Sequence, residues 1–176
     1  MTVPEQAFTD VRTLADLPQY IAARYNRPAL IRRCVGDKYV DVSGAEYQDR
    51  IRAVSLGLQA LGLRRGDRAG IVCESRPEWS IADQAFLTAG AITVPVYPTL
   101  STSQTQFILY DAEASVVVVS DDVQAAKVLE VLPDLPTVRA VVVVAPGPLL
   151  EAKAGSTVPV MSMADVEASG RRLLEA

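Results

Sequence analysis

Apolar positions along the chain fall into two alternating patterns: stripes at spacings of three and four, and short unbroken β-branched runs. The clearest stripe is Tyr47, Ile51, Val54, Leu58 and Leu61, with Asp49, Arg50 and Arg52 off it, and it predicts a long amphipathic helix. Ser43 and Glu46 stand before it at capping-box spacing, and Gly62 closes it. A second stripe, Trp79, Ala82, Phe86 and Ala89, starts behind Pro77 and ends at Gly90. A third runs Leu14, Leu17, Ile21, Tyr25, with Pro18 marking the helix start.

Between the stripes lie the runs at 69–73, 92–94, 116–119 and 141–144. Extended runs without polar alternation, separated by helices, predict a largely parallel sheet covered on both faces, hence a doubly wound α/β fold. Pro95 has no N–H to donate, so the strand before it is expected at an edge, or to finish there. Residues 28–33 and 39–42, around the turn 35–38 with its Gly36-Asp37, predict a small N-terminal β-hairpin. Thr99 to Ser103 offers caps for a helix carrying an apolar patch at 107–110, and Asp121-Asp122 opens another carrying Ala125, Leu129 and Leu132. The turn-rich and polar stretch after Val144 leads to a strand at 158–161 and a helix from near Ser162, so 147–176 is expected to be a linker with a strand-helix extension of a single domain, 1–176.

Composition narrows the function. A chain of 176 residues that is 49% hydrophobic supplies a core for one domain. A net charge of −4 with scattered arginine pairs gives no cationic stripe for nucleic acid. No apolar run is long enough to span a bilayer and the first ten residues do not read as a signal peptide, so a cytoplasmic setting is expected. Cys34 and Cys73 lie far apart without metal-ligand spacing and read as small hydrophobes. The absence of histidine removes Ser-His-Asp and Cys-His nucleophiles and the HExxH zinc helix. No glycine-rich phosphate loop is present. Thr99 to Ser103 and Asp121-Asp122 follow strands and could receive an anion or a metal, but helix capping explains both better. Glu74 and Glu78 have no partner in the sequence and are assigned to solvent or to a helix dipole, and Trp79 to the core. No catalytic, cofactor-binding or metal-ligating residue is assigned.

Leu61-Gly62, Gly66-Asp67-Arg68, the run to Cys73, Glu74 to Pro77, Ala89-Gly90-Ala91 and Val94 to Pro98 occur in the order that resembles AMP-forming acyl-CoA synthetases, over about residues 14–146. Arg76-Pro77-Glu78-Trp79 and Val96-Tyr97-Pro98-Thr99-Leu100 look most like the long-chain fatty acid branch. The resemblance implies a ligase that uses ATP and Mg²⁺ to turn a fatty acid into an acyl-adenylate and then a thioester of coenzyme A. In similar enzymes the phosphate loop is a Ser/Thr/Gly-rich segment ending in Pro-Lys, which this sequence lacks. The chain is therefore expected to be the N-terminal portion of such a ligase, inactive and cofactor-free by itself, with uncovered apolar surface that favours homo-oligomers. A stand-alone binding module of the same fold is the other class of reading, and fatty acyl-AMP ligases and peptide-synthetase adenylation domains are the other enzymes.

Overall fold

Residues 11–25, 27–148, 156 and 158–176 are described by a computed structural model. A 3-10 turn at Leu14–Asp16 leads into α1 (Leu17–Tyr25), then β1 (Ile31–Val35) and β2 (Lys38–Val42), α2 (Gly44–Ala60), β3 (Arg68–Val72), α3 (Pro77–Thr88) and β4 (Ile92–Val96). The chain continues through α4 (Thr102–Asp111), β5 (Ala114–Asp121), α5 (Asp122–Glu130), a 3-10 turn at Leu132–Asp134, β6 (Ala140–Ala145), β7 (Val160–Ser162) and α6 (Met163–Glu175). The stretch expected as a linker lies mostly outside the described residues, as do the first ten.

Five strands form one sheet in the order β4-β3-β5-β6-β7, every neighbouring pair parallel, and β1 and β2 form a separate antiparallel pair. This is the expected doubly wound fold with its hairpin. The valine runs are divided by parity. Ile71, Val118 and Val142, in register across β3, β5 and β6, share a core with Ile51 and Leu58 of α2, Phe86 of α3 and Val166 of α6. Their neighbours Val72, Val119 and Val143 share the other core with Leu109 of α4 and Val128 of α5. Each such valine, at most 1% exposed, contributes about 1.5–3 kcal/mol of burial, which is why the runs tolerate no polar position.

Helix ends follow local chemistry. Gly62 (φ 98°) and Gly90 (φ 76°) take the left-handed conformation, and Leu63 and Ala91 then donate back to the Leu58 and Phe86 carbonyls, a Schellman stop at each end. That stop places Leu61 just past α2, half-buried, where it still packs on the core that the stripe faces. Ser43 accepts from the Glu46 N–H at 3.1 Å, while both halves of a box are formed by Ser101 with Gln104. Leu14 and Tyr25, the ends of the expected N-terminal stripe, are mostly exposed, because α1 covers only a corner of the core. Pro95 sits within β4, and β4 is an edge strand, as its missing donor requires.

Candidate functional site at the carboxyl edge of the sheet

From β3 the chain moves outward to β4, then crosses back past β3 to β5. The helices that follow β3 and β5 lie on opposite faces, since α3 feeds one core and α5 the other. The carboxyl ends of β3 and β5 therefore flank a topological switch point, the place where open α/β sheets leave a crevice for ligands. It is bordered by Cys73, Glu74, Ser75 and Arg76 on one side and Ser120, Asp121 and Asp122 on the other.

Several polar groups there serve the fold, while the Ser120 Oγ is buried without a hydrogen-bond partner among the described residues. Asp121 caps α5, accepting the Val123 and Gln124 N–H groups at 3.0 and 3.1 Å, and Asp122 accepts the Gly147 N–H at 2.8 Å. Ser101 caps α4 in the same way, and Lys127 donates to the Pro98 and Leu100 carbonyls at 2.8 and 3.1 Å, holding the loop after β4. Capping thus accounts for both Thr99 to Ser103 and Asp121. The Cys73 thiol is pushed up to about 12 by burial, opposed by Arg76 and reinforced by Glu74, Glu78 and Asp121. The thiol is therefore protonated at neutral pH, the form in which it is a weak nucleophile. Among the described residues no group of three or more His, Cys, Asp or Glu could hold a metal ion. Of the first amides of these two helices, Gln104 of α4 and Val123 and Gln124 of α5 are answered by the capping side chains.

Glu78 stands in the first turn of α3, one of its two expected placements, but its burial and its partners were not foreseen. Glu74 is in solvent, but Glu78 is 7% exposed, with Arg33 Nη1 at 2.8 Å from one carboxylate oxygen and Arg76 Nε at 2.8 Å from the other. Burial by itself would raise its pKa. The hydrogen bond from Arg76, a backbone hydrogen bond and the charges of Arg76 and Arg33 outweigh it and hold the carboxyl below its ordinary value. Arg33 comes from the hairpin, 45 residues away, which no local pattern reveals. Cys34 is also unlike its sequence reading, lying exposed on β1 instead of in a core. Trp79 is half-buried against the α3-side core, as expected.

At the opposite, amino edge, Asp67, Arg68, Glu113, Ser115, Pro136, Thr137 and Arg139 line a cavity of about 350 Å³. Asp67 accepts from the Arg64 N–H at 2.8 Å and pairs with Arg139; Arg68 donates to the Ala112 carbonyl at 2.7 Å and pairs with Glu113. Gly66-Asp67-Arg68 is thus a clamp joining the starts of β3, β5 and β6.

The family described as AMP-binding enzyme matches residues 17–168. The chain belongs to that family. This AMP-binding family member is 40% identical over 116 residues to the long-chain-fatty-acid–CoA ligase FadD15 of Mycobacterium bovis, covering 66% of this chain and 19% of that ligase. It is 34% identical over 118 residues to the long-chain-fatty-acid–CoA ligase heimdall of Drosophila melanogaster, covering 65% and 17%. It superimposes with a TM-score of 0.80 and 21% identity on the A-PCP didomain of a carboxylic acid reductase from Segniliparus rugosus solved with AMP, over 94% of this chain and 27% of that one, a likeness of fold. The match therefore spans less than a fifth of either of these two ligases. No helix among the described residues is long and apolar enough to cross a membrane.

Proposed function

We propose that the chain is the N-terminal portion of a long-chain fatty acid–CoA ligase, a single scaffolding subdomain with 147–176 as its strand-helix extension. The identity to ligases of that class, over two-thirds of the chain, carries the reading. The carboxyl-edge geometry is consistent with it, in that Asp121 is engaged in capping and Glu78 in the cluster with Arg33 and Arg76. In this reading fatty acid, ATP with Mg²⁺ and coenzyme A are substrates of the whole ligase, whose reacting groups lie in other parts of it. A carboxylate is a poor acyl electrophile until a phosphate ester makes it one, and that step needs donors for phosphate charge. A cytoplasmic setting belongs to the same reading and rests on two cysteines that form no disulfide.

The test is pyrophosphate release from ATP, Mg²⁺ and palmitate. The purified 176-residue chain is expected to release none, and a chimera that continues it into the remaining part of the Mycobacterium bovis ligase is expected to release it. Turnover by the chain alone, or a folded chimera without turnover, refutes the reading.

A further inference from the structure

The cavity at the amino edge of the sheet is not accounted for by the clamp around it. Ion pairs that only joined strands would pack against one another, yet these ring about 350 Å³ of open space. Their donors are partly unused. Arg68 bonds through Nε to the Ala112 carbonyl and through Nη2 to Glu113, and Arg139 through Nη2 to Asp67, so the Nη1 group of each guanidinium bonds nothing among the described residues. Arg139 Nε is buried and likewise has no partner there. The hydroxyls lining the cavity are used in the opposite sense. Ser115 Oγ donates to the Arg68 carbonyl at 3.1 Å and Thr137 Oγ1 to the Ala114 carbonyl at 2.9 Å, so each has committed its one proton and offers only lone pairs.

Glu113, also in the cavity wall, adds a second observation. It follows the end of α4 in the left-handed conformation (φ 49°) that Gly62 and Gly90 supply at theirs. A side chain in that conformation costs free energy that glycine avoids. What the glutamate provides is a carboxylate on Arg68, and with its side chain 68% exposed that pair is weak. A strained residue that lays a weakly held carboxylate over a cavity arginine acts as a tethered stand-in for an anion arriving from solution.

We propose that the amino-edge cavity is a binding site for a small phosphorylated polyol. Its phosphate oxygens bond to Arg68 and Arg139 and displace Glu113, because a phosphate dianion brings more charge and more acceptors to two guanidinium groups than one carboxylate does. Its hydroxyls donate to Ser115, to Thr137 and to Asp67 Oδ1, which bonds nothing among the described residues while Oδ2 takes Arg64 and Arg139. A bare anion leaves those acceptors unanswered, and a neutral polyol leaves the arginines so. The site lies at the opposite edge of the sheet from the switch point and does not depend on the ligase reading.

Titration of the isotope-labelled 176-residue chain with glycerol 3-phosphate, inorganic phosphate and glycerol at low ionic strength, followed by backbone amide shifts, tests this. Glycerol 3-phosphate is expected to produce saturable shifts at 67–68, 113–115 and 137–139 and to bind several-fold more tightly than inorganic phosphate, while glycerol moves none of them. Arg139→Gln is expected to weaken binding at least ~10-fold through the loss of a charged hydrogen bond. Glu113→Gly removes both the competing carboxylate and the strain, so binding should tighten by about 2- to 5-fold, the worth of an exposed ion pair, and the melting temperature should rise. No saturable binding of glycerol 3-phosphate, an affinity no better than that of inorganic phosphate, or shifts confined to the carboxyl edge each overturns the inference. Should Arg139→Gln not fold, Glu113→Gly decides: tighter binding supports the site, and unchanged or weaker binding overturns it.

Discussion

Helices α2 and α6 cross so closely that two glycines hold the contact, and Gly170→Ala measures it. A methyl group at Gly170 would lie 1.7 Å from the Ala53 carbonyl oxygen and 2.9 Å from the Gly57 nitrogen, and one at Gly57 would lie 2.1 Å from the Val166 carbonyl oxygen. These are backbone atoms, which cannot swing away as a side-chain tip can. Reaching ordinary contact at 3.4 Å requires α6 to retreat by 3.4 − 1.7 = 1.7 Å at the crossing. Helix propensity favours alanine over glycine by about 1 kcal/mol. Overpacking costs about 1–3 kcal/mol, and a retreat that uncovers Val166 and Met163, now 1% and 3% exposed, removes up to about 1.5–3 kcal/mol more for each. The balance is a loss of about 3 kcal/mol, or a melting temperature lower by roughly 6–12 °C in a chain of this size. Urea titration and thermal melting followed by circular dichroism read it, with exposed Ala168→Gly as a control expected to cost only about 1 kcal/mol. A Gly170→Ala protein as stable as the parent, or more stable by the propensity gain, would refute the close crossing.

Further outcomes follow from the same contacts. Glu78→Ala leaves Arg33 and Arg76 without their shared acceptor and should cost about 1–3 kcal/mol in urea titrations at pH 7. Because the folded Glu78 carboxyl titrates below its ordinary value of 4.5, its stabilisation is complete above that pH and is lost as pH falls through the folded value, so the gap between parent and Glu78→Gln should close in acid. Ellman titration of the native chain at pH 8 should find one fast thiol, Cys34, with Cys73 reacting only on unfolding; two fast thiols would contradict the buried, protonated Cys73. Asp121→Ala should destabilise the chain by about 1 kcal/mol, with Asp121→Asn close to the parent, since the cap needs an oxygen and not a charge.

Element type was legible because it is written in short-range patterns. The runs at 116–119 and 141–144 became β5 and β6, Gly62 and Gly90 stopped their helices, and Ser101, Asp121 and Ser162 capped the elements expected of them. Even the edge position of β4 followed from one residue, Pro95, through its missing donor. The candidate site was legible only in part: capping by Ser101 and Asp121 was readable, while the bond of Asp122 to Gly147 and the burial of Glu78 were not.

What the amino-acid order determined by itself was a parallel sheet layered by helices, because burial on both faces selects unbroken β-branched runs and covering helices select apolar stripes. Tertiary structure alone decided that β3 lies between β4 and β5, that Arg33 meets Glu78, that Gly66-Asp67-Arg68 clamps three strands, and that Gly57 and Gly170 let α6 settle on α2. Those features depend on groups far apart in the sequence, 45 residues for Arg33 and Glu78 and 72 for Asp67 and Arg139, and which distant backbones come within reach is set by packing the whole chain at once, where no local periodicity carries the information.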